Sequence, residues 1–336
     1  MRIAIAGAGS WGTALAQTLA LAGGDRHVIL WDRTEAVAAA IAATRHNPRY
    51  LTEIELDQDI DVTSDLGVAL NGAGVVVLAV PTSAMREVAR RARVALEADA
   101  VVVSAAKGFE ESSGATMSGV LAGVLGASRR ITALSGPNIA LEIARGLPAA
   151  GVVAGEASCA ALVRDMFAGS RYRAYSTEDM VGVEYAGALK NIIAIAAGIC
   201  DGIGTGDNGK AAIVTRGLAE IARLAINAGA NAMTFAGLAG LGDCIVTCTS
   251  PHSRNRRLGE AIAGGATLDD ALQAIGMVVE GVNTTRVALR LAVENGVEMP
   301  ITQQVHAVLF EGKPVSLAFE ELMRRDPAEE LHGLQS

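Results

Sequence analysis

The chain has little cysteine and no surplus of positive charge, and each shortage removes a class of function. Four cysteines stand at positions 159, 200, 244 and 248 of 336 residues, and none forms a C-x-x-C pair. A chain this long buries enough surface to do without disulfide staples, so reduced thiols are expected. The five histidines, at 27, 46, 252, 306 and 332, offer no partner at a zinc-binding spacing, and no metal site is expected. A formal net charge of −8 speaks against a nucleic-acid partner, which needs a basic surface to neutralise phosphates. Long uncharged apolar runs are also missing. The most apolar stretch, Ala186 to Ile203, contains Lys190 and Asp201, so its uncharged part falls short of the about 20 residues that span a bilayer. The apolar residues after Arg2 are broken at once by glycines and lack the long core of a secretory signal. No membrane association is expected, and a cytoplasmic location follows as the default. There is no internal repeat or low-complexity linker, and the acidic tail after Asp326 is expected to fray.

What is present is hydrophobic, 51 % of residues, enough for two sizeable cores. Apolar runs at 2–7, 27–32, 60–63, 75–80, 100–106, 131–135, 150–154 and 172–176 read as strands, most with an amphipathic stretch between them. They are continuous rather than alternating, which indicates strands covered on both faces. The expected fold is α/β, an N-terminal Rossmann-like, doubly wound, mostly parallel sheet over residues 1–177. Beyond it the β runs stop. Helical patterns at 178–197, 209–228, 255–263, 267–275, 284–294 and 301–309 predict an all-helical C-terminal, substrate-binding domain over 178–336. Ligands of open parallel sheets bind beyond the carboxyl ends of the strands, so the cleft is expected between that crest and the helical domain.

The first strand runs into Gly7-Ala-Gly9-Ser-Trp-Gly12 and then a helix. In this setting Gly7 permits the tight turn, Gly9 lets the backbone approach a pyrophosphate, and Gly12 allows helix and strand to pack closely. The diphosphate would sit at the helix N-terminus. The second strand ends in Asp32, about 20 positions after the last glycine, where a ribose hydroxyl is expected. Asp32 favours a free 2′-hydroxyl, whereas Arg33 suits a 2′-phosphate, so both NAD and NADP are expected to bind.

Further candidates follow strand ends. Lys107 comes directly after a buried strand and before a glycine, placed to meet an anion, although a solvated lysine is the plainer reading. Ser135-Gly136-Pro137-Asn138 closes a strand and opens a helix over Ile139–Arg145, with Pro137 near its first turn. Lys190 lies in a stretch that is apolar all round. Burial would lower its pKa toward the range useful for proton transfer unless a carboxylate restores the charge. Gly237–Asp243 reads as a glycine-rich turn delivering one carboxylate, a suitable partner for that lysine or else an exposed loop residue. Ser253-Arg254-Asn255-Arg256-Arg257 is the densest basic cluster, with Ser253 as an N-cap and a phosphate cradle behind it, or simply a solvated charged run. Glu280, in Val278-Val279-Glu280-Gly281, can accept from a ribose or amide, or cap a helix.

The chain resembles the bacterial-type NAD(P)-dependent glycerol-3-phosphate dehydrogenases over essentially its full length. The likeness rests on Gly7–Ala16, Ser135–Pro137, Gly187–Ala194, Thr215–Glu220, Gly240–Asp243, Thr247–Ser250, Ser253–Arg256 and Val279–Gly281. The resemblance implies reversible, NAD(P)H-dependent reduction of dihydroxyacetone phosphate to glycerol 3-phosphate, which would feed phospholipid synthesis. It implies Lys190 as proton donor and acceptor, with Asp243 orienting it, and substrate contacts from Lys107, Gly136, Asn138, Lys190, Asp243, Ser253, Arg254 and Asn255. On the cofactor side it implies Gly7, Gly9, Ser10, Trp11, Gly12, Arg33, Tyr50, Lys107, Ala140, Arg254, Val278 and Glu280. Two positions depart from the family pattern. Asn138 stands where Ser or Thr is usual, and Thr52 follows Tyr50-Leu51 where proline is common. The alternatives are another two-domain reductase of hydroxyacid or ketopantoate type, for which the basic cluster would be idle, and a nucleotide sensor with no need of Lys190 or Asp243. The expected partner is a small phosphorylated substrate, and the expected assembly a homodimer.

Overall fold

Eight apolar runs pair into one sheet in the computed structural model, which describes residues 1–325; the expectation for the tail after Asp326 lies outside them. The strands are β1 (Arg2–Ala6), β2 (His27–Trp31), β3 (Ile60–Thr63), β4 (Val75–Leu78), β5 (Val101–Ser104), β6 (Arg130–Ser135), β7 (Ala149–Gly155) and β8 (Tyr172–Thr177). Their order is β3-β2-β1-β4-β5-β6-β7-β8, parallel except where β7 meets β6. The cause of the reversal is local. The connecting helix between β6 and β7 has five residues, about 8 Å of rise, and cannot carry the chain back along a strand of about 20 Å.

Both faces of the sheet are covered, as the continuous apolar runs predict. Ile3, Ile5, Val28, Leu30, Val75, Val77, Val101 and Val103 face one core, and the intervening Ala4, Ile29, Val76 and Val102 face the other. The helices of this unit are α1 (Ser10–Leu21), α2 (Glu35–Thr44), α3 (Leu66–Leu70), α4 (Thr82–Ala92), α5 (Met117–Leu125), α6 (Ala140–Ala144) and α7 (Ala157–Asp165). Strand order turns between β1 and β4, the position where doubly wound sheets bind ligands, and the glycine-rich loop after β1 stands there.

The remaining helices are α8 (Met180–Ile203), α9 (Gly206–Asn227), α10 (Asp243–Thr249), α11 (Arg254–Ala263), α12 (Leu268–Ile275), α13 (Glu280–Asn295), α14 (Pro300–Phe310) and α15 (Val315–Met323). Every residue from Ala186 to Cys200 in α8 is buried. By length and composition α8 satisfies the test for a membrane span, contrary to the sequence expectation, but 78 % of its most apolar window is inside the protein, as in a core helix. Small residues let α11 lie directly on α8. A Cβ on Gly198 would meet the Arg256 carbonyl at 1.9 Å, and one on Gly259 the Ile195 carbonyl at 2.1 Å. These two glycines set the first turn of α11 beside the helix of Lys190.

Packing divides the chain into one unit of Met1–Ala106 and Ala115–Met180, and a second of Lys107–Gly114 with the chain from Val181 on. The sequence reading kept 107–114 within 1–177. The segment joins the helical unit through specific contacts: Lys107 with Asp243, Phe109 edge-on to Tyr185, and Glu111 with Arg290 and Arg286. Three local expectations change as well. α15 was not anticipated. Ile139 caps α6, which leaves Pro137 outside the helix rather than in its first turn. Gly237–Asp243 is not a loop: a 3₁₀ turn (Ala232–Ala236) and a π turn (Leu238–Gly242) feed straight into α10. Gly240 makes this possible, since a Cβ there would strike the backbone of Phe235 at 2.4 Å or less.

Candidate active site

In the sheet unit the three glycines of the loop have separable causes. Gly7 has φ +118°, and a Cβ on Gly12 would lie 1.9 Å from the Gly7 carbonyl, so the fold itself demands both. Gly9 has an ordinary φ of −73°, and a Cβ there would meet nothing within 4 Å. The fold has no use for this glycine; the space above it suits a group that must approach the backbone closely. Gly9 is also the N-cap of α1 and brings no side chain to cap it, which leaves the helix N-terminus to an anion. The cradle therefore fits a dinucleotide diphosphate.

Other expected cofactor residues surround this loop or the next. Ser10 opens α1, and Trp11 is half-buried with its indole N–H unpaired. Arg33 is exposed just beyond β2, while Asp32 accepts the Thr34 N–H at 2.8 Å. Tyr50 is half-buried in a loop organised by Asn47, which the sequence reading missed. The buried Asn47 amide donates to the Ala8 carbonyl at 2.8 Å and to Thr13 at 2.9 Å, and its oxygen accepts from the N–H groups of Arg49 and Tyr50. One side chain thus ties the glycine loop to the Tyr50 segment. Ala140 is the first residue of α6. Gly136, expected at the substrate, has φ +126°, and a Cβ would meet the Gly151 Cα at 2.8 Å, so packing against β7 already requires glycine there. The Asn138 side-chain oxygen accepts from the Tyr172 hydroxyl at 3.0 Å.

The helical unit holds the charge. Asp243, only 1 % exposed, opens α10 and accepts from the Lys107 ammonium at 2.7 Å and the Lys190 ammonium at 2.5 Å, one on each carboxylate oxygen. Lys190 also donates to the Thr247 hydroxyl at 2.5 Å, and that hydroxyl donates to the Asp243 backbone carbonyl at 2.6 Å. Asp243 and Thr247 stand i, i+4 on one helix face, a relation hidden as long as the segment is read as a loop. The expected carboxylate partner of Lys190 is therefore in place. Lys107 is pushed down to about 8 by desolvation and by Lys190, against the pull of Asp243. Two lysine side chains thus share one buried carboxylate.

The basic cluster after Ser253 separates into distinct roles. Ser253 caps α11, accepting the Arg256 N–H at 3.3 Å. Arg256 is held by Asp201 at 2.7 Å and Glu260 at 2.8 Å, and Arg257 is exposed. Arg254 donates to the Val278 carbonyl at 2.5 Å. Asn255 is buried, donating to Asn191 at 2.8 Å and accepting the Gly281 N–H at 3.0 Å, which joins α8, α11 and α13. Arg254, Asn255, Val278 and Glu280 thus form one corner, with Glu280 as the first residue of α13. Asn191 is a second partner the sequence reading missed. Cys244 and Cys248 are buried 3.9 Å apart on α10, and mutual hydrogen bonding and burial raise the Cys248 thiol. Among the described residues no group of three His, Cys, Asp or Glu side chains is arranged to hold a metal ion.

Two family profiles match the chain: the NAD-dependent glycerol-3-phosphate dehydrogenase N-terminus over residues 2–161 and the C-terminus of the same family over 179–320. A glycerol-3-phosphate dehydrogenase [NAD(P)+] of Pelotomaculum thermopropionicum is 50 % identical over 333 residues, 98 % of this chain and 95 % of the relative. One from Thermoanaerobacter sp. is 47 % identical, covering 99 % of this chain and all of its own length, 100 %. The crystal structure of glycerol-3-phosphate dehydrogenase from Coxiella burnetii superimposes with a TM-score of 0.91 at 38 % identity, covering 96 % of this chain and 99 % of that one.

Proposed function

The chain belongs to the NAD-dependent glycerol-3-phosphate dehydrogenase family, and from that premise we propose how its own residues divide the work. It is an NAD(P)-dependent oxidoreductase that interconverts dihydroxyacetone phosphate and glycerol 3-phosphate. The observation that carries the residue assignment is the buried cluster in which Lys107 and Lys190 both reach the Asp243 carboxylate.

Bound reduced nicotinamide supplies the hydride. Its transfer to the ketone carbon would leave negative charge on the carbonyl oxygen. Lys190 stabilises that charge and delivers the proton that completes the alcohol; in the reverse direction it takes the proton back. Asp243 and Thr247 fix the direction of the Lys190 ammonium before substrate arrives, so little reorganisation remains at the moment of reaction. Lys107 contributes a second positive charge to the anionic substrate. Arg254 and the α11 N-terminus, capped by Ser253, receive the phosphate, and Asn255 holds that corner in place. In the sheet unit, Gly136 and Asn138 are the proposed substrate contacts. Gly7, Gly9, Ser10, Trp11 and Gly12 hold the diphosphate side of the cofactor, with Arg33, Tyr50, Ala140, Val278 and Glu280 as further contacts. Asp32 and Arg33 side by side support use of both nucleotides.

Supply of glycerol 3-phosphate to phospholipid synthesis, a cytoplasmic location and a homodimer belong to the same proposal. Exposed Met233, Leu241 and Ile245 on the helical unit support the last. The test is oxidation of NADH and of NADPH with dihydroxyacetone phosphate beside unphosphorylated dihydroxyacetone. Turnover confined to the phosphorylated ketone supports the phosphate corner; equal turnover of both ketones removes Arg254 and α11 from substrate binding.

A further inference from the structure

Three side-chain N–H donors of the sheet unit are buried and unpaired, Arg2 Nε, Trp11 Nε1 and Asn138 Nδ2, and the side chain beside the last two is Tyr172. A buried N–H without an acceptor is costly, so a fold that keeps one is keeping it for a ligand or is strained by it. Tyr172 is 2 % exposed and wedged between the rings of Phe167, 4.8 Å away, and Trp11, 6.3 Å away. Its hydroxyl occupies space that exists because residue 151 is glycine: a Cβ there would fall 1.8 Å from the phenolic oxygen. From this fixed position the hydroxyl donates to Asn138 Oδ1 at 3.0 Å.

An asparagine amide has a donor end and an acceptor end that are nearly the same shape, and either can be turned toward a ligand. Engaging Oδ1 decides between them. We propose that Tyr172 is a positioning residue for the substrate: by holding the Asn138 oxygen it keeps Nδ2 as a ready donor for an oxygen of the phosphorylated ketone. The proposal rests on the reading that Asn138 contacts substrate. Trp11 provides an internal control, because an indole N–H is a donor in any orientation and Trp11 meets Tyr172 through its ring rather than its hydroxyl.

Four proteins test it: the wild type, Tyr172→Phe, Asn138→Ser and the double variant, each measured for kcat, for KM toward dihydroxyacetone phosphate and toward NADH, and for Tm. Tyr172→Phe keeps the ring packing and removes only the hydroxyl. It is expected to raise the KM for the ketone about three- to tenfold, leaving kcat and the KM for NADH unchanged. In the Asn138→Ser background the same change should do nothing to KM, because a serine hydroxyl has no two-ended amide to orient. A rise of equal size in that background, an unchanged KM in the single variant, or a parallel loss of NADH affinity would overturn the proposal. Asn138→Asp replaces the donor by an acceptor at constant shape and covers the case in which Tyr172→Phe does not fold. An unchanged KM in Asn138→Asp removes Asn138 from the substrate site and the proposal with it, whereas a raised KM there beside a silent, folded Tyr172→Phe removes only the role of Tyr172.

Discussion

The glycine loop of the sheet unit and the lysine cluster of the helical unit bind charge in opposite ways. The loop recognises an anion with backbone: consecutive residues, a helix N-terminus and a missing side chain at Gly9. The cluster does so with side chains gathered from positions 107, 190, 243 and 247, around a carboxylate that is 1 % exposed. A backbone site gives affinity that pH cannot change. A site of buried ammonium groups gives charge that can move to where a reaction needs it, at the cost of a pKa within reach of the working pH. The proposed function gives cofactor binding to the first kind and proton transfer to the second.

The largest effect should come from removing the proposed proton donor. Lys190→Met is expected to lower kcat by about 100- to 10,000-fold while NADH binding, followed by fluorescence, is unchanged; a parallel loss of NADH affinity would show that the two regions do not divide the work. Next comes Asp243→Asn, which strips two buried ammonium groups of their counter-charge. Breaking a buried ion pair costs about 3–5 kcal/mol, so both Tm and kcat should fall, and an unaltered Tm would mean the cluster is less coupled to the fold than its burial implies.

The backbone side is sharpened by two glycines. Gly12→Ala forces a Cβ against the Gly7 carbonyl and should destabilise the protein by about 1–3 kcal/mol. Gly9→Ala has room in the fold, so Tm should hold while NADH binding weakens about tenfold. If Gly9→Ala lowered Tm instead and spared binding, the cradle would be structural.

A pH profile separates the two kinds of site directly. Lys107 carries its charge below about 8 and loses it above. The KM for dihydroxyacetone phosphate should therefore be flat below that pH and climb above it, with no matching change for NADH binding to the glycine loop. In Lys107→Arg, whose guanidinium stays charged, the climb should vanish; its persistence would assign the titration to another group. The smallest effect is expected at exposed Arg33, where removal by Arg33→Ala should raise the KM for NADPH about two- to fivefold and spare NADH.

The same contrast explains what could be read from the residues in order. β1, the glycine loop and α1 are contiguous, and the properties of neighbouring residues decide their conformation, so the motif was legible at once. The helix of Lys190 was legible too, because an apolar stretch on all sides leaves burial as its only stable fate. Thr247 escaped because the four glycines and alanines of residues 237–242 read as a turn, whereas Gly240 lets that segment coil tightly against Phe235 and enter α10. Asn47, Asn191 and Tyr172 carried no signal at all; each matters through a partner 34 or more residues away.

By itself, then, the sequence determined the two-part architecture and the dinucleotide loop, because short-range sterics and hydrophobic periodicity act between residues close in the chain. The two lysines and the aspartate it offered only as candidates with plainer readings open, and their roles came from the family resemblance. Tertiary structure alone decided that Lys107 leaves the sheet unit to join Asp243, that Asp243 is buried rather than exposed, and that the Asn138 amide is held by Tyr172. Those outcomes depend on which distant side chains packing brings within hydrogen-bond reach, and a short polar contact has no periodicity by which the chain could announce it.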